Sequence, residues 1–275
     1  MSASSWTTLR IRSISDRQAV ISALFDLGAE GVQELDAEVV TCLRGVDESR
    51  AAARLRSVDP AALWTFEATP DTDWSGAWRS QLSARRVGRF VVTPPWLAAD
   101  FAADERIVID PGMAFGTGDH ESTRGALALL QTVVRAGDVA ADLGTGSGVL
   151  AIAAAKLGAR HVYGIENDPD AIENANANVA RNDVSRAVSV LEGDAAALLP
   201  LVSPVHVIAA NIVATVLTEL LPVMAASLSA GGRAVIGGIL TDEAPRVREA
   251  LTAAGWRVTD VIEEGAWWSA TMRRA

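Results

Sequence analysis

Cysteine is almost missing from this chain of 275 residues. Cys42 stands alone, so no internal disulfide can form, and a reducing compartment, the cytoplasm, is expected. Clustered cysteines and histidines are also missing, which leaves no ligand set for a zinc site. No convincing Ser-His-Asp or Cys-His pair stands out, so no covalent intermediate is expected. No uninterrupted apolar run reaches the length of a membrane span. The opening Met1-Ser2-Ala3-Ser4-Ser5-Trp6 lacks the basic and apolar regions of a signal peptide. Positive charge is in deficit: a formal net charge of −10 argues against a phosphate backbone as main partner and suits a basic one better. Hydrophobic residues make up 49% of the chain, enough for a full core. Cys42 lies in the apolar run Val39-Val40-Thr41-Cys42-Leu43 and is expected in that core.

The length corresponds to about two domains. Thr7–Ile14 alternates like a strand, and Asp16–Leu27 has helical spacing closed by Gly28. Gly31–Leu35 and Glu38–Arg44 read as strands, Glu48–Val58 as a helix and Ala61–Ala68 as another strand. This β-α-β-β-α-β pattern is the ferredoxin-like arrangement, and it occupies residues 1–70. A polar stretch, Thr69-Pro70-Asp71-Thr72-Asp73, ends it. Residues 71–85 then form a linker, helical over Trp74–Ser83, with Trp74 and Trp78 on one face as packing anchors between domains.

Residues 86–275 form the second domain. Gly88–Thr93 and Arg106–Ile109 read as strands ahead of a larger core. Seven strand candidates follow: Val139–Leu143, His161–Glu166, Ala187–Leu191, Val205–Ala210, Arg233–Ile239, Arg257–Glu263 and Trp267–Met272. Helical segments separate the first six, which implies a parallel, doubly wound α/β sheet. Only Glu264-Gly265-Ala266 joins the last two, a hairpin-length turn that makes the final strand antiparallel to its neighbour.

The chemistry gathers at Asp142-Leu143-Gly144-Thr145-Gly146-Ser147-Gly148, where a buried strand runs into a glycine-rich turn and a helix from Val149. Glycines there allow positive φ and let a ligand lie against bare backbone. Glu166, at the end of the next strand, can accept hydrogen bonds from both hydroxyls of a ribose. The glycines follow G-x-G-x-G and not the dinucleotide fingerprint G-x-G-x-x-G, which suits an adenosine cofactor with no pyrophosphate to cradle. Such a turn, with a seven-stranded sheet and one late antiparallel strand, is the pattern of class I methyltransferases that bind S-adenosylmethionine.

Three further motifs bear on the site. Asp110-Pro111-Gly112-Met113-Ala114-Phe115-Gly116-Thr117-Gly118-Asp119-His120-Glu121-Ser122-Thr123-Arg124 combines a glycine loop with a helix start. Ser122 and Thr123 are its candidate caps, and the loop lies where it can close over a cofactor. His120 there reads as a hydrogen-bonding residue, with proton transfer the alternative. In Glu192-Gly193-Asp194, the aspartate either accepts from an adenine amino group or caps the helix that follows. Asn211, at the end of the fourth core strand, can turn its carbonyl oxygen to an acceptor amine. Ile212 and Val213 follow it where enzymes acting on planar nitrogens carry prolines, so a flexible amine is favoured.

The Asp110–Arg124 loop, the Asp142–Gly148 turn, Asn211-Ile212 and Gly237-Gly238-Ile239-Leu240 together resemble the bacterial methyltransferases of ribosomal protein L11. The resemblance covers essentially the whole chain. It implies a small substrate-recognising domain joined by a linker to a class I methyltransferase domain, and a basic ribosomal protein as substrate, with no nucleic-acid or membrane partner. It places Thr123, Gly144, Glu166 and Asn211 at cofactor positions, and Phe115 and Gly116 in the loop that closes on the cofactor; Gly146, from the glycine turn, and Asp194, from its place after the third strand, are expected cofactor contacts on the reading of the residues. Glu166 stands where the family usually has aspartate, and Asp119 precedes His120 where a neutral residue or histidine is commoner. The chemistry implied is direct methyl transfer to a neutral amine, a lysine side chain or an N-terminus, with Asn211 orienting it. A lysine methyltransferase of another protein, such as electron-transfer flavoprotein, a nicotinamide-dependent oxidoreductase and a non-catalytic S-adenosylmethionine-binding module are the competing readings.

Overall fold

The computed structural model describes residues 6–12, 14–29, 32–34, 38–68, 83–110 and 120–275. The chain divides into two compact units, Met1–Gln81 and Leu82–Ala275. The expected linker helix, with Trp74 and Trp78, and the loop residues Met113, Ala114, Phe115 and Gly116 lie outside the described residues.

In the first unit, strands β1 (Trp6–Arg12), β2 (Gln33–Glu34), β3 (Glu38–Arg44) and β4 (Leu63–Ala68) form a sheet in the order β2-β3-β1-β4. Helices α1 (Arg17–Asp26) and α2 (Glu48–Val58) complete the ferredoxin-like unit. Each helix begins on an aspartate: Asp16 accepts from the Ala19 amide at 3.0 Å and Asp47 from the Arg50 amide at 3.1 Å, supplying the partners that first-turn N–H groups otherwise lack. Leu9, Ile11, Val20, Leu24, Val39, Leu43 and Leu55 make the core. Cys42 corrects an expectation, because it is exposed. Side chains alternate across a strand, so Val39, Thr41 and Leu43 point inward. Cys42 takes the other face, beside Thr8, with Sγ 3.7 Å from Oγ1.

The second unit opens with a small sheet of β5 (Arg85–Val87), β6 (Phe90–Thr93) and β7 (Arg106–Val108). Gly88 is not part of the strand expected from Gly88 to Thr93. It sits in the β5–β6 turn at φ +59, and a Cβ there would lie 2.5 Å from Gln131 Oε1. Gln131 binds this turn, accepting from the Arg89 amide and donating to the Val87 carbonyl.

The main sheet contains β8 (Val139–Leu143), β9 (His161–Glu166), β10 (Val188–Glu192), β11 (Val205–Asn211), β12 (Leu228–Leu240), β13 (Trp256–Glu264) and β14 (Trp267–Arg274). Their order is β10-β9-β8-β11-β12-β14-β13. The pairs from β10 to β12 are parallel, and β14 runs antiparallel to both β12 and β13. Helices α3 (Glu121–Val133), α4 (Val149–Lys156), α5 (Pro169–Arg181), α6 (Ala195–Val202), α7 (Ala214–Ser227) and α8 (Ala244–Ala253) cover it. Alternate strand residues serve opposite faces. Val139, Ala141, Leu143 and Ile208 pack with α7 and α8, while Ala140, Val207 and Ala209 pack with α3 and α4. Each fully buried large aliphatic side chain in these layers contributes roughly 1.5–3 kcal/mol. Among the described residues, no helix is long and apolar enough to cross a membrane.

One polar stripe interrupts this packing. Asn174, Asn178 and Asn182 lie four residues apart along α5 and its C-cap, facing the segment that leaves β7. Asn182 pairs with Val108 as a strand would, accepting its N–H at 2.8 Å and donating to its carbonyl at 2.6 Å. Asn178 accepts the Asp110 N–H at 2.9 Å.

Candidate active site

A cavity of about 480 Å³ opens at the carboxyl ends of β8, β9, β10 and β11. Open α/β sheets bind ligands at that edge, where the strand order reverses. The Gly144–Gly148 turn forms one side. Gly144 has φ +66, and a Cβ on it would sit 2.6 Å from Ile212 Cγ2, so only glycine fits. Glu166 reaches across: its Oε2 accepts the Gly146 amide at 2.9 Å, and its Oε1 accepts the amides of Asn167 and Asp168 at 2.9 and 3.2 Å. Asp142 lies beneath the turn, 2% exposed. Its Oδ2 accepts from Thr145 Oγ1 at 2.7 Å and from the Ala151 amide at 3.0 Å. Burial pushes its pKa up to about 7, against those two bonds, and the nearby Glu166 charge pushes the same way.

Asn211 ends β11 on the opposite side. Its Nδ2 donates to Thr123 Oγ1 at 3.3 Å. Its Oδ1 is buried and has no hydrogen-bond partner among the described residues. Two glycines make room for this segment: a Cβ on Gly237 would lie 2.7 Å from Asn211 Oδ1, and one on Gly238 would lie 2.7 Å from the Ile212 carbonyl. An unpaired buried acceptor is costly, and this oxygen keeps the capacity to accept from a donor.

Gly144, Gly146, Glu166, Asp194 and Asn211, all expected from the sequence, line this one cavity. Asp194 caps α6, its Oδ1 accepting the amides of Ala196 and Ala197 at 2.7 and 3.1 Å. Thr123 is fully buried behind Asn211, and its neighbour Ser122 lines the cavity instead. Neither Ser122 nor Thr123 is the helix cap that was expected. Both lie within α3, and His120 is the N-cap, its Nδ1 2.8 Å from Ser122 Oγ and accepting the Ser122 amide at 3.4 Å. The helix begins two to three residues earlier than its hydroxyls suggest, because the imidazole can accept the amide.

The sequence profile of the family described as ribosomal protein L11 methyltransferase (PrmA) matches residues 8–275. The chain belongs to that family. The ribosomal protein L11 methyltransferase of Thermus thermophilus is 42% identical over 248 residues, 90% of this chain and 91% of that protein. That of Heliobacterium modesticaldum is 38% identical over 231 residues, 83% of this chain and 72% of that protein. The crystal structure of the ribosomal protein L11 methylase from Lactobacillus delbrueckii subsp. bulgaricus superposes with a TM-score of 0.64 at 26% identity, covering 70% of this chain and 99% of that one. This L11 methyltransferase family member is therefore an S-adenosylmethionine-dependent enzyme of class I fold. The oxidoreductase, binding-module and flavoprotein-directed readings find no support among these relatives.

The cavity of this L11 methyltransferase relative suits that cofactor. A glycine turn that a Cβ would fill and an acid held beside it fit an adenosine. The sequence reading missed the apolar wall of Ile212, Val213, Val216 and Leu220, and Trp267 facing the cavity from β14. Val213 is 60% and Val216 44% exposed, a degree of exposure unusual for valine beside a cavity. Asn211 followed by two apolar residues was the available signal. Trp267 packs edge-on against His120, ring centroids 4.7 Å apart.

Proposed function

We propose that this enzyme methylates amino groups of large-subunit ribosomal protein L11 in the cytoplasm. Whole-chain similarity to proteins bearing that name supports the substrate. The single observation that carries the amine reading is the buried, unpartnered Oδ1 of Asn211 at the cavity wall.

The Gly144–Gly148 backbone, Glu166 and Asp194 hold the cofactor in this reading. Glu166 offers a ribose the acceptor sites that three backbone amides leave over, and the Asp194 cap uses Oδ1, leaving Oδ2 for an adenine amino group. Phe115 and Gly116, outside the described residues, are assigned to the cofactor by the family resemblance alone. When bound, S-adenosylmethionine supplies an electrophilic methyl group. Asn211 Oδ1 accepts one N–H of the neutral acceptor amine and fixes the direction of its lone pair. Thr123 steadies the carboxamide from behind. The Val213–Val216 rim excludes water and takes the aliphatic stem of a lysine. The amine's proton leaves to solvent or to His120, which would take it on its second ring nitrogen, since Nδ1 binds Ser122.

Residues 1–70 select the substrate, and residues 71–85 join them to the catalytic domain. A chain starting near Asp71 is expected to bind S-adenosylmethionine and lose methylation of L11; equal methylation by that shortened chain would move recognition into the catalytic domain. The function itself is tested by mass spectrometry of purified L11 incubated with S-adenosylmethionine and either wild-type enzyme or Asn211→Ala. Methyl groups on L11 amines, with turnover in Asn211→Ala reduced far more than cofactor affinity, are expected. Unmodified L11, or an Asn211→Ala enzyme with normal turnover, would overturn the reading.

A further inference from the structure

We propose that Asn178, outside the cavity, is a positioning residue that sets the shape of the cofactor turn. This rests on the reading that the Gly144–Gly148 turn holds the cofactor. Asn178 is fully buried. Its Nδ2 donates to the Ser147 carbonyl at 3.0 Å, and its Oδ1 accepts the Asp110 amide at 2.9 Å and Arg181 Nη1 at 2.9 Å. Besides the bonds of the Gly144 and Thr145 amides to Ile165, of the Gly148 amide to Thr145 and of the Thr145 hydroxyl to Asp142, two side chains reach the backbone of the turn: Glu166 holds the Gly146 N–H and Asn178 holds the Ser147 carbonyl. They constrain the stretch where the glycines on either side of Ser147 are conformationally permissive. Gly146 and Gly148 lie at φ +53 and +84, and nothing in their own side chains holds them there. Without Asn178 this peptide loses its hold on the carbonyl side and relies on the Gly148 N–H bond to the Thr145 carbonyl at 2.8 Å, which loosens the turn around Gly146 and Gly148.

Asn178 also joins that turn to Asp110, the last described residue before the loop that the sequence reading places over the cofactor. The two ends of one carboxamide hold two parts of the site that are distant in the chain. A purely structural role would make Asn178 equivalent to Asn182, which is likewise buried and likewise binds the β7 end, but touches only Val108 and the α5 backbone. Asn178 differs from Asn182 in the contact with Ser147, and in those with Asp110, Asn174 and Arg181.

The test is a matched pair, Asn178→Ala and Asn182→Ala, in the full chain, with thermal melting and calorimetric titration of S-adenosylmethionine. Asn178→Ala should weaken cofactor binding about tenfold, one hydrogen bond's worth, while turnover at saturating cofactor changes less. Asn182→Ala should lower the melting temperature by a similar amount and leave cofactor affinity within about twofold. If either alanine variant does not fold, Asn178→Ser and Asn182→Ser make the same comparison. Equal affinities in the two variants would overturn the proposal. A Gly144→Val variant separates the causes: if it still binds S-adenosylmethionine normally, the reading of the turn fails, whereas loss of binding there with no difference between the asparagine variants refutes the role of Asn178 alone.

Discussion

Glu166 holds the amide of Gly146 at 2.9 Å from the neighbouring strand, so the acid proposed to meet a ribose also fixes the turn beside it. Glu166→Ala should therefore cost more than a lost ribose contact. Charge-assisted hydrogen bonds of this kind contribute roughly 1.5–3 kcal/mol, so a ten- to hundredfold weaker affinity for S-adenosylmethionine is expected. Titration calorimetry decides it, and an unchanged affinity would remove Glu166 from the site.

Asp142 gives a pH dependence with a definite sign. Its carboxyl is raised from 3.8 to about 7, first by burial. The folded protein therefore holds that proton more tightly than the unfolded chain. The associated stability is fully present below pH 4 and is lost as pH rises through about 7. Asp142→Asn has no such titration, so its melting temperature relative to wild type should climb between pH 5 and pH 8. Parallel melting curves across that range would show that Asp142 titrates normally.

The apolar rim gives a prediction confined to the protein substrate. Val216 is 44% exposed on the cavity wall. Val216→Asp places a charge where a lysine stem should lie, and should raise KM for L11 about tenfold while leaving cofactor affinity nearly unchanged. Steady-state kinetics with each reactant varied in turn separates the two. A rise in cofactor KM alone would place Val216 against the cofactor.

The chain contains one lysine, Lys156. It lies at the C-terminal end of α4, at the edge of the sheet opposite the cavity, where Nζ donates to the Ala103 carbonyl at 3.0 Å. Burial lowers its pKa, so a fraction more of the neutral amine exists there than on a free lysine. Position should still decide. Enzyme incubated with S-adenosylmethionine alone should yield an unmodified Lys156 peptide by mass spectrometry, and methylation there would mean that this amine reaches a site.

Much of this architecture could be read from sequence because short-range rules governed it. The parallel core strands are largely apolar runs bounded by glycine, proline or charge, and the hairpin at Gly265 needed only its length. Failures came where distant partners decided. Cys42 sits in an apolar run whose inward register includes Thr41, so composition hid the alternation. Gly88 turns because Gln131, 42 residues away from Arg89, binds the bend. The asparagine stripe of α5 meets its partners across 68 and 74 residues of chain, which no local pattern encodes. In the site, the glycines and strand-end acid were legible because backbone geometry demands them. The Val213–Val216 rim was not, since an exposed valine has meaning only beside a cavity.

The placement of β14 has a consequence for how the enzyme comes into being. This strand lies between β12 and β13, pairs with both, and brings Trp267 to the cavity wall and Trp268 into the core. The neighbours it joins are both synthesised before it, and in this fold they meet only through it. A chain emerging from the ribosome therefore lacks both the link between β12 and β13 and the tryptophan at the cavity wall until residues 267–274 are free.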